Sequence, residues 1–132
     1  LVTAITSSAF SRVDTEEQLR NPFFVYLDEF HSYSTLSLIN MLSELRKFKI
    51  GMVLANQYTQ QLEPDILHAV IGNVGTKIIF RVGHYDARIW SQEMKPYFID
   101  TDFMQLPNRH IYLTMMIDGV PSKSFSAVTL MQ

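Results

Sequence analysis

A chain of 132 residues has room for one domain with a core of its own. Apolar residues make up 47%, with nine Phe, six Tyr and one Trp, which excludes a disordered chain. The formal charge of −2 excludes broad, non-specific attraction to nucleic acid but leaves room for a local basic patch, and the lack of cysteine excludes disulfide and thiolate chemistry.

Charged residues make up only 18%. Two arrangements account for so low a share: a parallel sheet covered on both faces, or a surface that another domain or subunit covers. No apolar stretch approaches the ~20 residues that span a bilayer, and no secretory signal is evident. The chain opens at Leu1-Val2-Thr3 without Met, as a segment of something longer would.

In chain order, residues 1–10 suit either a helix end or an edge strand, and residues 11–22 read as a connector closed by Pro22. Phe23 to Leu27 is an unbroken apolar run, the pattern of a central strand covered on both faces. Ser34 or Thr35 can cap a helix running to about Lys49, with Leu38, Met41, Leu42, Leu45 and Phe48 as its buried stripe. Ile50 to Ala55 is a second strand, stopped by Asn56-Gln57. Pro64 opens a helix that Gly72-Asn73 ends. Thr76 to Val82 is a third strand, Tyr85 to Met94 a helix and Thr101 to Leu106 a short helical turn. Ile111 to Ile117 and Val120 to Thr129, joined by Asp118-Gly119, form a hairpin. That order predicts one three-layer α/β domain with a mixed, largely parallel sheet over residues 1–132.

In open α/β sheets, ligands sit beyond the carboxyl ends of the strands. Asp28-Glu29, Asn56-Gln57 and Arg81 end the three strands and are expected along one rim. An apolar strand running into two carboxylates has the form of a Walker B element. For phosphoryl transfer, Asp28 suits a Mg²⁺ ion, Glu29 can prepare the attacking water, and Gln57 can bond that water or the terminal phosphate. Arg46 or Arg81 can neutralise the charge that develops in the transition state. Each has a plainer alternative. The acid pair can cap the next turn, Gln57 can be a loop residue, and Arg46 can lie on a solvated helix face with Glu44 and Lys47. Arg81 can pair with Asp86 or Glu93, and the four histidines, without metal-ligand spacing, are structural or surface groups. The glycines of Gly72-Asn73-Val74-Gly75 can cradle an anion or make a tight turn. No GxxxxGK[ST] loop is present.

The stretches FFVYLDEFHSYS, MLSELRKFKIGMVLANQYTQQL and AVIGNVGTKIIFRVGHYDA, with the closing YLTMMIDGVPSKSF, carry a resemblance. Together they look like the carboxyl-terminal part of the motor domain of conjugative coupling proteins, the TraG/TraD/VirD4 type IV secretion ATPases of the HerA–FtsK class. The resemblance implies a RecA-like P-loop NTPase fragment lacking its Walker A half. It implies a hexameric ring that uses ATP and Mg²⁺ to move DNA or a relaxase–DNA complex toward a secretion channel, in the bacterial cytoplasm or at the cytoplasmic face of the inner membrane. Asp28 and Glu29 match the Walker B acids, Gln57 within ANQY the sensing glutamine, and Arg46 within LRK the arginine that reaches a neighbour's nucleotide; Arg81 falls at another recurrent arginine.

The expected function is therefore part of an ATP-driven DNA translocase or secretion coupling protein, supplying Walker B, sensor and arginine-finger elements. The chain by itself is expected to be inactive, since nothing in it grips the β- and γ-phosphates. The alternative is a non-catalytic docking module that recruits relaxosome or accessory proteins through Tyr33, Tyr58, Tyr85, Tyr97 and the apolar tail. A third possibility, an α/β enzyme using Asp28 and Glu29 as plain acid and base, lacks a second catalytic constellation.

Overall fold

A computed structural model describes residues 4, 7, 8, 10–35, 42 and 44–130, and of Arg46 the backbone. The chain forms two compact units, residues 1–73 and 74–132. Among the described residues no helix is long and apolar enough to cross a membrane.

In the first unit, described residues of the opening segment (4, 7, 8 and 10) are helical. The connector carries a 3-10 turn, Glu17–Leu19, and two arginines pin it. Arg12 Nη1 donates to the carbonyl of Asn21 at 2.9 Å, and its guanidinium lies 5.8 Å from the centre of the Phe23 ring. Arg20 donates to the carbonyls of Thr15 (2.8 Å) and Lys47 (2.6 Å) and lies over Phe48 at 5.5 Å. Strand β1, Phe23–Leu27, then pairs in parallel with β2, Ile50–Leu54, with Phe23 opposite Ile50 and Leu27 opposite Leu54. Parallel neighbours need a connection of a dozen or more residues, and residues 28–49 supply it.

The predicted helix to Lys49 falls mostly on residues outside those described, Leu38 and Met41 included. Its described end is a 3-10 turn, Leu45–Phe48, with Leu45 buried as the stripe required. Helix α1, Pro64–Asn73, runs through the expected stop and turns Ile66 inward. Val25, Leu27, Phe30, Leu45, Ile50, Leu62 and Ile66 form one core cluster.

In the second unit β3, Lys77–Ile79, is shorter than predicted. Helices α2, His84–Glu93, and α3, Asp100–Met104, follow. The backbone N–H of Ile99 donates to the Asp102 carboxylate at 2.9 Å, which satisfies one free donor at the start of α3. The hairpin forms in two stages. Its base, β4 (His110–Thr114) with β7 (Phe125–Val128), joins β3 in an antiparallel three-stranded sheet of order β3-β4-β7. Its tip, β5 (Met116–Ile117) with β6 (Val120–Pro121), is closed by Asp118 and Gly119, both at positive φ (50° and 81°). Two successive positive φ values are what a two-residue hairpin turn of matching twist requires, and Asp-Gly accepts them readily. Gly75 has a packing reason: a Cβ there would come within 3.0 Å of Met116. Ile79, Ala87, Met94 and Phe103 make the second core cluster. Beside it, Phe98 stacks on Tyr112 at 3.8 Å, and Phe103 meets Tyr112 edge-on at 5.1 Å.

The fold departs from the expected three-layer, RecA-like P-loop domain with one largely parallel sheet. The described residues make three small sheets of two, three and two strands, with three α-helices. One strand pair is parallel, while β3 spends its hydrogen bonds on antiparallel β4. The reason lies partly in β1. Its apolar run suggested cover on both faces, yet Val25 and Leu27 point inward while Phe24 and Tyr26 remain 58% and 72% exposed. An unbroken apolar run does not distinguish a strand covered twice from one that keeps an apolar outer face.

The stacked pair gives a pH prediction. Burial, reinforced by the charge of Asp102, raises the Tyr112 pKa above 10.0. The folded state therefore holds the phenolic proton more tightly than the unfolded chain does. That contribution is fully present below about pH 10 and is lost as pH rises through the folded value. Thermal unfolding followed from neutral to strongly alkaline pH should show a steeper loss of Tm in the native chain than in Tyr112→Phe.

Candidate functional site

The parallel pairing of β1 with β2 sets their carboxyl ends side by side. The amide of Ala55 donates to the carbonyl of Leu27 at 2.9 Å, and that of Phe30 to the carbonyl of Ala55 at 3.1 Å. Phe30, 4% exposed, anchors the following turn in the core, so Asp28 and Glu29 must make a sharp bend between strand and anchor. Glu29 takes up that bend in the left-handed region, at φ 47° and ψ 49°. A non-glycine residue there is strained, and such strain often accompanies a binding or switch position. Asp28 Oδ1 accepts the Glu29 amide at 3.0 Å, a local bond that steadies the conformation.

Three groups expected to act together do meet. Gln57 Nε2 donates to Glu29 Oε1 at 3.1 Å, and Asp28 directly precedes Glu29; all three are exposed. Asn56, expected on the rim but given no task, and His31, expected to be only a structural or surface group, complete the cluster. His31 Nδ1 lies 2.7 Å from Asn56 Oδ1, and Asn56 Nδ2 donates to the carbonyl of Tyr58 at 2.6 Å. The second bond fixes which end of the Asn56 amide faces the imidazole. An acceptor facing Nδ1 places the proton of neutral His31 on Nδ1 and leaves Nε2 as acceptor toward Ser32 Oγ, 3.3 Å away. The signal for Asn56 was its place at the end of β2. For His31 it was the distance of two residues from Glu29, which becomes informative only once the bend is known.

The two arginines are not brought to this cluster by any described contact. The Arg46 side chain lies outside the described residues. Arg81 follows β3, in the other unit, and is exposed. Glu93, one of its expected partners, pairs instead with Lys77 at 3.1 Å. The three strand ends thus belong to two sheets rather than to one.

Asp28 offers hard oxygen ligands, but among the described residues no group of three or more His, Asp or Glu side chains is placed to hold a metal ion. Mg²⁺ is commonly held by one or two carboxylates together with substrate phosphates. Asp28 with Glu29 could supply only the protein part of such a site. Charge is unevenly distributed. Residues 1–73 carry eight Asp and Glu against five Lys and Arg, whereas residues 74–132 carry five against six.

A family model described as "Type IV secretion-system coupling protein DNA-binding domain" matches residues 1–95. No curated protein matches the chain. The coupling-protein resemblance thus has the correct family but the wrong part of it: the matched domain is the DNA-binding one, not the RecA-like ATPase motor. The match also replaces the main functional expectation, a segment supplying Walker B, sensor and arginine-finger elements to an ATP-driven translocase. The descriptions ATPase, P-loop, Walker B and RecA-like go with it, whereas conjugation and DNA binding stand. The non-catalytic alternative is the better supported of the two.

The bend gives a stability prediction. Glycine adopts the left-handed region without the Cβ penalty that other residues meet. Glu29→Gly should therefore be more stable than Glu29→Ala by about 1 kcal/mol, although both lose the bond to Gln57. Urea unfolding of the two variants measures the difference. Equal stability would show that the bend is not strained in solution.

Proposed function

The chain belongs to the type IV secretion-system coupling protein DNA-binding domain family, and from that membership we propose that it works without catalysis of its own, binding DNA and docking the proteins that accompany it. The observation that carries this reading is the family match over residues 1–95. The surface supports it. Tyr33, Tyr58, Tyr85 and Tyr97, expected to serve docking, are 43%, 55%, 54% and 45% exposed. Large amphipathic rings of this kind suit protein partners and the faces of unstacked bases alike.

Within this proposal Asp28, Glu29 and Gln57 are a polar contact rim rather than reacting groups. Their carboxylates repel phosphate, so the rim suits base edges with amino donors or a basic partner protein. Arg46 and Arg81 are the complementary choice for phosphate or for a neighbouring copy. The finer partnership, a hexameric ring of copies that takes a relaxase–DNA complex toward a secretion channel with accessory proteins, belongs to the same proposal. ATP and Mg²⁺ would be held weakly or not at all by this chain, because it contains no loop of backbone N–H groups followed by the phosphate-binding lysine.

Amide chemical shifts of the 132-residue chain would be followed in three titrations: DNA oligonucleotides, relaxosome-derived peptides and a Mg-ATP analogue. DNA or peptide should move a contiguous surface in a saturable way, and the nucleotide should not. ATP hydrolysis by the chain that disappears in Glu29→Gln would overturn the non-catalytic assignment.

A further inference from the structure

A cleft of about 510 Å³ opens in the second unit between the outer side of α2 and the segment leading into α3. Arg88 and Lys95 provide its positive charge, Gln92 and Ser91 lie between them, and Phe98 and Ile99 form an apolar wall. Asp100 also lines it. We propose that this cleft is a contact site for a DNA strand, with backbone phosphate held by Arg88 and Lys95 and the sugar or base laid against Phe98 and Ile99. The proposal rests on the DNA-binding reading and says where on the chain that binding occurs.

The cations are available for an anion. The Lys77–Glu93 ion pair involves neither Arg88 nor Lys95. Lys95 Nζ donates to the neutral amide oxygen of Gln92 at 2.6 Å, which positions the ammonium without neutralising it. Arg88 is exposed, so an incoming phosphate need not displace a buried partner. The Ser91 hydroxyl is committed to the Arg88 carbonyl at 3.1 Å and serves as floor.

The wall is fixed on one side and open on the other. Phe98 is held by its stack on Tyr112 and its edge contact with Phe103 at 6.2 Å, whereas Ile99 is 60% exposed. A rigid ring beside an exposed aliphatic group, next to two unpaired cations, is suited to a ligand that is anionic along one edge and apolar along another. A nucleic-acid strand has that form; a bare phosphate does not. The cleft spans the end of the family match at residue 95, so the inferred contact surface extends past the matched segment. Asp100, which also lines the cleft, opposes the phosphate. Its Oδ1 accepts the Thr101 amide at 3.1 Å, so the carboxylate stays in place.

The test is fluorescence anisotropy of labelled DNA, single-stranded and duplex, with the 132-residue chain over a range of salt. Arg88→Glu with Lys95→Glu should weaken binding about tenfold or more and make the log–log salt slope shallower by about 1.5, as loss of two phosphate contacts does. Asp100→Asn should strengthen binding severalfold, a gain that misfolding cannot imitate. Lys123→Glu, an exposed charge reversal away from the cleft, should change affinity and slope much less. If the native chain binds DNA and the double variant binds equally well, the cleft is overturned while the DNA-binding reading stands. If the native chain binds no DNA even at low salt, both fall. If an acidic poly-glutamate peptide binds as tightly and with the same response to the variants, the cleft takes an acidic protein and the DNA assignment is overturned.

Discussion

The parallel register of β1 on β2 is the constraint from which the first unit follows. It is secured at the start by the Phe23 amide on the Lys49 carbonyl at 3.0 Å and at the end by Ala55 on Leu27. With five residue pairs aligned between those bonds, the chain leaves both strands at the same level. Asp28-Glu29 and Asn56-Gln57 then have to emerge together, and the burial of Phe30 forces the bend that puts Glu29 at positive φ. A one-residue slip would reverse every side chain of β1 and place Phe24 and Tyr26 inside. Gly51 fits this register closely. The Phe24 ring crosses it so tightly that a Cβ would lie 2.7 Å from two ring carbons.

The second unit depends on ring packing and an antiparallel ladder instead. Tyr112 sits on β4, and its ring contacts with Phe98 and Phe103 tie the central strand of that sheet to the segments on either side of Ile99. The hairpin would otherwise be a marginal two-stranded ribbon; β3 gives it the third strand that independent stability requires. Its change from base to tip occurs at Met115 and Ser122. There the Ser122 amide donates to the Met115 carbonyl at 2.7 Å, and Ser122 Oγ accepts the Met115 amide at 3.0 Å. A side-chain oxygen thus takes the place of a ladder carbonyl, and the ladder is interrupted between the two strand pairs.

Local features were legible where a few residues decide them. Phe23 to Leu27, Pro64, and Asp118-Gly119 each announced their element, because strand apolarity, a helix-starting ring and a positive-φ turn are local properties. The contact of Glu29 with Gln57 was also foreseeable, since both follow strands expected to run in parallel. Pairing partners were not. Nothing local in Lys77-Ile78-Ile79 states whether it will meet β1, β2 or β4, and that choice separates one parallel sheet from three small ones. The domain within the coupling-protein family was misjudged for a related reason. An apolar strand ending in two acids is compatible with a hydrolytic site, but the same pattern follows from a strand end and a strained bend. The GxxxxGK[ST] loop that would grip a nucleotide's β- and γ-phosphates is not in this sequence.

The low charged share admitted two explanations, and the exposed groups favour the second. Phe24, Tyr26 and Val53 remain exposed on the outer face of the parallel pair, so the apolar composition is not used up in a sheet covered twice. Charge, in turn, is sorted along the chain. The half that carries the strained carboxylate bend has an excess of acids, and the half that carries the Arg88/Lys95 cleft has a slight excess of bases. A net charge of −2 therefore describes neither half. Because exposed charges act over about a Debye length, ~8 Å at physiological salt, an anionic polymer responds to the local excess rather than to the sum. That is how a mildly acidic chain can belong to a DNA-binding family. The phosphate-repelling bend and the phosphate-attracting cleft lie on separate units, so each can meet a partner of the opposite charge.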